Sequence, residues 1–194
     1  MTFAAIPAWD HHGVLPPLNT LSPTSADRSP YVVSLTDLVM RFSTSDERRR
    51  ILDGLRRYRQ EFHRIGLTSG FQWLDGSFLE QIELREDRAP RDIDVVTFFD
   101  MPVGRSQIDV FNMNPRFFRP DDRENVKNDF HVDGQWVSLS VPPRMLVGRA
   151  AYWYSIWAHR RDHLWKGFVQ IDLSPLEDAT AWANLNSPGA GGHS

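Results

Sequence analysis

The sequence predicts an α/β (α+β) domain in which a small mixed sheet carries flanking helices. Three observations lead there. A strong helical period runs through residues 44–65, short apolar stretches with two-residue alternation recur further along, and helical patterns lie between those stretches. At 194 residues, with seven Trp and twelve Phe, the chain has material for one well-filled core. No internal repeat is visible.

Residues 1–33 are rich in Pro, Ser and Thr and lack a period, so they read as an extended arm. Trp9 and the run Val14-Leu15-Pro16-Pro17 give that arm something apolar to dock with. The domain proper is expected over 34–186, beginning with a short helix from Leu35 to Phe42. Thr44 and Glu47 then have capping-box spacing. Ile51, Leu55, Tyr58, Phe62 and Ile65 recur at steps of four and three, which sends Arg48, Arg49, Arg50, Arg57 and Arg59 largely toward solvent. Gly66 is placed to stop the helix.

Phe71 to Leu74 reads as a strand entering the turn Asp75-Gly76-Ser77, and a polar loop from Arg85 to Arg91 leads into a second strand over 93–99. Residues 106–118 fit helix and strand equally. Phe130 to Leu139 alternates, with His131, Asp133, Gln135, Val137 and Leu139 on one face. Pro142-Pro143 opens a helix to about Arg161 whose stripe is Val147, Ala151, Tyr154 and Ala158. A strand from Phe168 to Leu173 follows. Ser174, Pro175 and Glu177 then supply an N-cap, a first-turn proline and an acid for a last helix through Leu185. Residues 187–194 are Gly-rich and read as a flexible tail.

Composition narrows the function. A net charge of −3 argues against broad, charge-driven coating of nucleic acid, while leaving room for a local basic groove. Without cysteine there is no disulfide, thiolate metal site or thiol nucleophile. No window approaches the roughly 20 apolar residues of a membrane span, and the first residues lack a signal-peptide pattern. A soluble, cytoplasmic protein is expected.

The informative span is Leu74-Asp75-Gly76-Ser77-Phe78, followed by Arg91-Asp92-Ile93-Asp94-Val95. A glycine ending a strand lets backbone N–H groups approach phosphates, and a serine hydroxyl adds a donor. Aspartates at i and i+2 of a strand share a side and can hold magnesium, a hard cation that prefers oxygen ligands. Paired carboxylates repel unless solvated or offset by a cation. The alternative is that Arg88 and Arg91 neutralise them and no metal is involved.

Gly76-Ser77 followed by Asp92-x-Asp94 resembles the signature of the polymerase-β nucleotidyltransferase superfamily. More closely, the chain is similar to a family of small bacterial nucleotidyltransferase-like proteins. The matching blocks are Ile6-Pro7 with Gly13-Val14-Leu15-Pro16-Pro17, Leu74 to Phe78, Pro90 to Val95, His131-Val132-Asp133, and Arg160-Arg161-Asp162 with Lys166-Gly167. One departure is the long interval from Ser77 to Asp92, which suggests an insertion at 81–91.

The resemblance implies a polymerase-β-type core and transfer of a nucleoside monophosphate from an NTP or dNTP to an acceptor hydroxyl, with Mg²⁺ or Mn²⁺. The acceptor stays open among a protein, a nucleic-acid end and a small molecule, as does membership of a toxin–antitoxin or phage-defence module with a protein partner. A third carboxylate is also implied. Asp133 is preferred because of its alternating strand, and Asp109 competes if residues 107–111 form the strand instead. Asp92, Asp94 and Asp133 would then be catalytic and metal-binding, with Gly76, Ser77 and Lys166 on the nucleotide. The other reading keeps the fold as a non-catalytic nucleotide-binding regulator.

Remaining candidates have plainer explanations. His159 and His163 lie four apart, a zinc-compatible spacing, but lack a third ligand and sit at a helix end that favours histidine. Arg160, Arg161 and Lys166 form a basic cluster that is either a solvated face or the cations a triphosphate needs. His11 and His12 are expected at the surface, and Tyr152, Trp153, Tyr154 and Trp157 in the core rather than stacked on bases.

Overall fold

A computed structural model of the protein describes residues 3–186, so the tail expected at 187–194 lies outside the described residues. The chain runs β1 (Tyr31–Val32), α1 (Leu35–Phe42), α2 (Asp46–Arg64), β2 (Gly70–Asp75), α3 (Ile82–Glu86), β3 (Ile93–Phe99), α4 (Gln107–Met113), α5 (Pro115–Phe118), α6 (Arg123–Phe130), β4 (Val132–Ser138), α7 (Pro143–Trp157), β5 (Val169–Asp172) and α8 (Asp178–Asn186). The five strands form one mixed sheet in the order β1-β5-β2-β3-β4. β2 is antiparallel to both neighbours, whereas β1 with β5 and β3 with β4 are parallel.

Helix α2 shows why the sequence folds as it does. Its cap is Ser45, whose hydroxyl accepts from the Arg48 N–H, rather than Thr44 as the spacing suggested. Gly66 follows its end at φ +87°, a conformation that favours glycine. Ile51, Leu55, Tyr58, Phe62 and Ile65 are all buried. Two of the arginines expected at the surface are buried too. Arg48 donates to both Glu83 oxygens and to the carbonyls of Phe78 and Glu80. Arg59 donates to Gln72, to the carbonyls of Asp172 and Ser174, and to Asp178. Full hydrogen bonding is what makes a buried guanidinium tolerable, and those acceptors come from segments remote in sequence.

The sheet faces are covered unequally. Helix α2 packs on the face that carries Gln72, where Arg59 reaches it. On the other face Trp73 lies 4.9 Å from Phe98 and 5.3 Å from Phe168, and Trp157 of α7 lies 5.7 Å from Phe168. The stripe of α7 that packs on the core is Leu146, Ala150 and Trp153, partly buried, with the buried Trp157, not the one centred on Val147 and Tyr154, which are exposed along with Tyr152. The aromatics of this helix therefore divide, with the two tryptophans packed inward, Tyr152 facing solvent, and Tyr154 partly exposed with its ring edge-on to Phe168.

Other expectations shift as well. Residues 82–86, placed in or beside the polar loop, form α3, and the ambiguous 106–118 is the helix pair α4 and α5. Asp109 is consequently a helix-capping residue: its carboxylate accepts from the Ser106 N–H and hydroxyl, which removes it as the third carboxylate. His131 ends α6 at φ +53° instead of lying within the strand. The arm of residues 3–33 adds β1 to the sheet and buries Val14 and Leu15.

Candidate active site

Strand register assembles the site. Asp75 closes β2 opposite Asp94 of β3, and Asp94 lies opposite Asp133 of β4. Residues paired across a sheet point to the same face, so three aspartates from three adjacent strands form one row. Asp92 stands two residues before Asp94 and adds a fourth carboxylate. The row floors a cleft of about 600 Å³ whose wall includes Gly76, Ser77, Glu80, Lys127, His159, Arg160 and Lys166. Five of the six residues that sequence reasoning assigned to the site thus surround one space with Asp94, the sixth.

Gly76 has φ +92°, and a Cβ there would come within 2.7 Å of Asp94 Oδ2. The turn therefore requires glycine on two grounds, backbone conformation and contact with the central carboxylate. Ser77 opens the short 3₁₀ turn Ser77–Leu79 immediately after it.

The charges are distributed unevenly. Lys166 is buried, with Nζ 2.8 Å from Asp75 and 3.2 Å from Glu80. Burial alone would lower its ammonium, but the Asp75 and Glu80 charges outweigh burial and hold it above the usual lysine range. Arg160 pairs with Glu80 and with Glu86, the latter at 2.8 Å. Lys127 Nζ bridges Asp92 at 2.8 Å and Asp133 at 3.2 Å, and Arg123 joins Asp133 at 2.6 Å. Arg88 pairs with Glu86 instead of the aspartates.

Asp94 differs from its neighbours: among the described residues its carboxylate has no ion pair or hydrogen bond. Burial, then the charges of Asp75, Asp133 and Asp92, pushes it up to about 7. A carboxylate raised by burial and by its own kind, in a cleft, marks a place where positive charge is wanted.

The donor set suits a hard divalent cation, since it consists of carboxylate oxygens beside a backbone turn that a side chain would obstruct. Among the described residues no three His, Asp or Glu side chains already converge as a metal cage. Lys127 instead bridges two of the carboxylates, the role a divalent cation would take. His159 and His163 have ring centroids 6.1 Å apart, and the His159 ring meets the Arg160 carbonyl.

Sequence reasoning missed Asp75, Glu80, Arg123 and Lys127. Asp75 carried a signal, its position at the end of a strand beside Gly76-Ser77. Lys127 carried none, because only the β3–β4 pairing brings α6 beside Asp92.

A model of a family of unknown function, DUF6932, matches residues 7–172. No curated protein and no solved structure matches the chain.

Proposed function

We propose that this chain, which belongs to the DUF6932 family, is a divalent-cation-dependent nucleotidyltransferase with a polymerase-β-type core, moving a nucleoside monophosphate from an NTP or dNTP to an acceptor hydroxyl. The observation that carries the reading is the Asp75–Asp94–Asp133 row beneath the Gly76-Ser77 turn.

Asp92, Asp94 and Asp133 would hold Mg²⁺ or Mn²⁺, which supplies the positive charge that a triphosphate and a departing pyrophosphate need. The N–H groups and hydroxyl of the Gly76-Ser77 turn are suited to phosphate oxygens. Asp133, on the terminal strand of the row, would accept the acceptor hydroxyl's proton once the incoming cation takes over from Lys127. Lys166 works from below: by pairing with Asp75 and Glu80 it fixes the turn that carries Gly76. Arg161, on the cleft wall and without an ion pair among the described residues, brings cationic charge to its mouth, whereas Arg160 is already paired with Glu80 and Glu86.

The bridging Lys127 favours a second reading, in which the protein's own cations satisfy the carboxylates and nucleotide binds without transfer. One assay separates the two. The purified protein is incubated with α-³²P-labelled NTPs and dNTPs, Mg²⁺ or Mn²⁺, and cell extract as acceptor source. Label transfer that disappears in an Asp92→Ala, Asp94→Ala variant supports the enzyme, and the labelled species names the acceptor class. Nucleotide binding without transfer under every condition supports the regulator.

A further inference from the structure

The outer edge of β4 has a composition and geometry the proposed reaction does not use. Strand β4 is terminal in the sheet. The bonds Ile93 N–H to His131 O and Leu139 N–H to Phe99 O set its phase, so odd-numbered residues bond inward to β3. In a parallel ladder the even-numbered residues then direct their N–H and C=O groups outward. Gly134 and Trp136 have no main-chain partner on that side among the described residues, and the strand is open there, with Trp136 37% exposed.

A groove of about 290 Å³ runs over this edge. Arg119 and Arg123 flank it on one side and Arg149 of α7 on the other, and no carboxylate lines it. The guanidinium groups of Arg119 and Arg149 make no ion pair among the described residues. Trp136 and Phe118, stacked edge-on with ring centroids 5.1 Å apart, separate the groove from an adjoining apolar pocket of about 310 Å³ lined by Phe99, Ile108 and Phe111.

We infer that this edge receives an extended acidic segment of a partner protein, which adds a strand to β4 and places an apolar side chain in the pocket beside Trp136. The unpaired N–H and C=O groups alternate at strand spacing, which another main chain satisfies and a phosphodiester backbone, lacking donors, does not. Arg119 and Arg149, neither with an acidic partner among the described residues, select for negative charge, and Arg123 adds to the field although it is paired with Asp133. A second copy of this chain, joined edge to edge, would bring arginines against arginines, so the charge pattern disfavours it.

The test uses the full chain and fluorescent peptides followed by anisotropy. The probes are a peptide alternating Glu and Val, its Lys–Val counterpart, the Glu–Val peptide N-methylated at every second residue, and oligothymidylate. The Glu–Val peptide is expected to bind saturably and to weaken with salt. It should bind roughly tenfold or more tightly than each other probe, the scale of one charge-assisted contact. An Arg119→Glu, Arg149→Glu variant with unchanged circular dichroism should lose that margin. Absence of saturable Glu–Val binding, equal binding of the N-methylated or Lys–Val peptide, or tighter binding of oligothymidylate would overturn the inference. So would a dimer in light scattering that Arg119→Glu breaks. Neither replaced arginine belongs to the aspartate row, so label transfer by the variant reports separately on the proposed reaction.

Discussion

Two charged clusters lie on opposite faces of one sheet and are built on opposite principles. Under α2, Arg59 is fully buried, and its donors meet one carboxylate, one amide and two carbonyls. Charge and hydrogen bonding close there, and nothing is left to attract a ligand. On the other face four aspartates gather around Lys127 and Lys166, and the central one, Asp94, has no direct cation and is held up to about 7. The first arrangement is what stability alone produces. The second costs stability, and a cost retained at one point of a well-packed fold indicates work done there.

The contrast breaks most visibly at the closed cluster. Arg59→Ala leaves Asp178 and Gln72 in the interior without their partner and should cost about 3–5 kcal/mol, the scale for halving a buried ion pair; urea unfolding measures it. Gly76→Ala places a Cβ against Asp94 at positive φ and should cost about 1–3 kcal/mol by the same method, with nucleotide binding lost in a fluorescence titration. Asp94→Asn should act in the reverse direction to Arg59→Ala, raising the melting temperature near neutral pH while abolishing label transfer.

The pH dependence sharpens the comparison further. In the unfolded chain Asp94 loses its proton near the ordinary aspartate value of about 4, whereas in the fold it keeps it to about 7. The folded state therefore binds more protons across that window, and stability without metal should fall as pH rises from about 4 to about 7, then level off. Denaturation midpoints in urea should follow this curve in the wild type, lose this contribution in Asp94→Asn, and recover at pH 8 on adding Mg²⁺. The smallest effect belongs to Lys127→Ala. Its ion pairs are partly solvated and should be worth within about 1 kcal/mol, yet removing the bridge should tighten Mn²⁺ binding measured by calorimetry. Unchanged Mn²⁺ affinity would mean that lysine and metal do not compete.

What was legible in the sequence follows from the range of each interaction. Local periodicity found α2, β3 and β4, and the two-residue spacing of Asp92 and Asp94 needed only a strand to align them. Asp133 was reachable because alternation fixes a face even when the neighbouring strand is unknown. The row itself was not legible, since it depends on β2, β3 and β4 being in register, and register is a long-range property. Arg48 and Arg59 were misjudged for the same reason: a helix pattern shows which positions are polar, not that distant carbonyls wait for them. The stripe of α7 was displaced by one position because so many of its residues are apolar that periodicity alone cannot choose among faces.

The arm before β1 stitches two parts of the chain together. The Gly13 carbonyl accepts from the Gln81 N–H and the Leu15 carbonyl from the Gly167 N–H, while Trp9 donates to the Leu79 carbonyl. Residues 79–81 and 166–167 carry Glu80 and Lys166, the underside of the Gly76 turn. A protease cut near Asn19 would leave every aspartate in place and free the strap formed by Trp9, Gly13 and Leu15 from its covalent anchor in β1. The cleaved protein would keep its helices, and the N-terminal stretch would then act as a mechanical tensioner for a cleft that none of its residues lines.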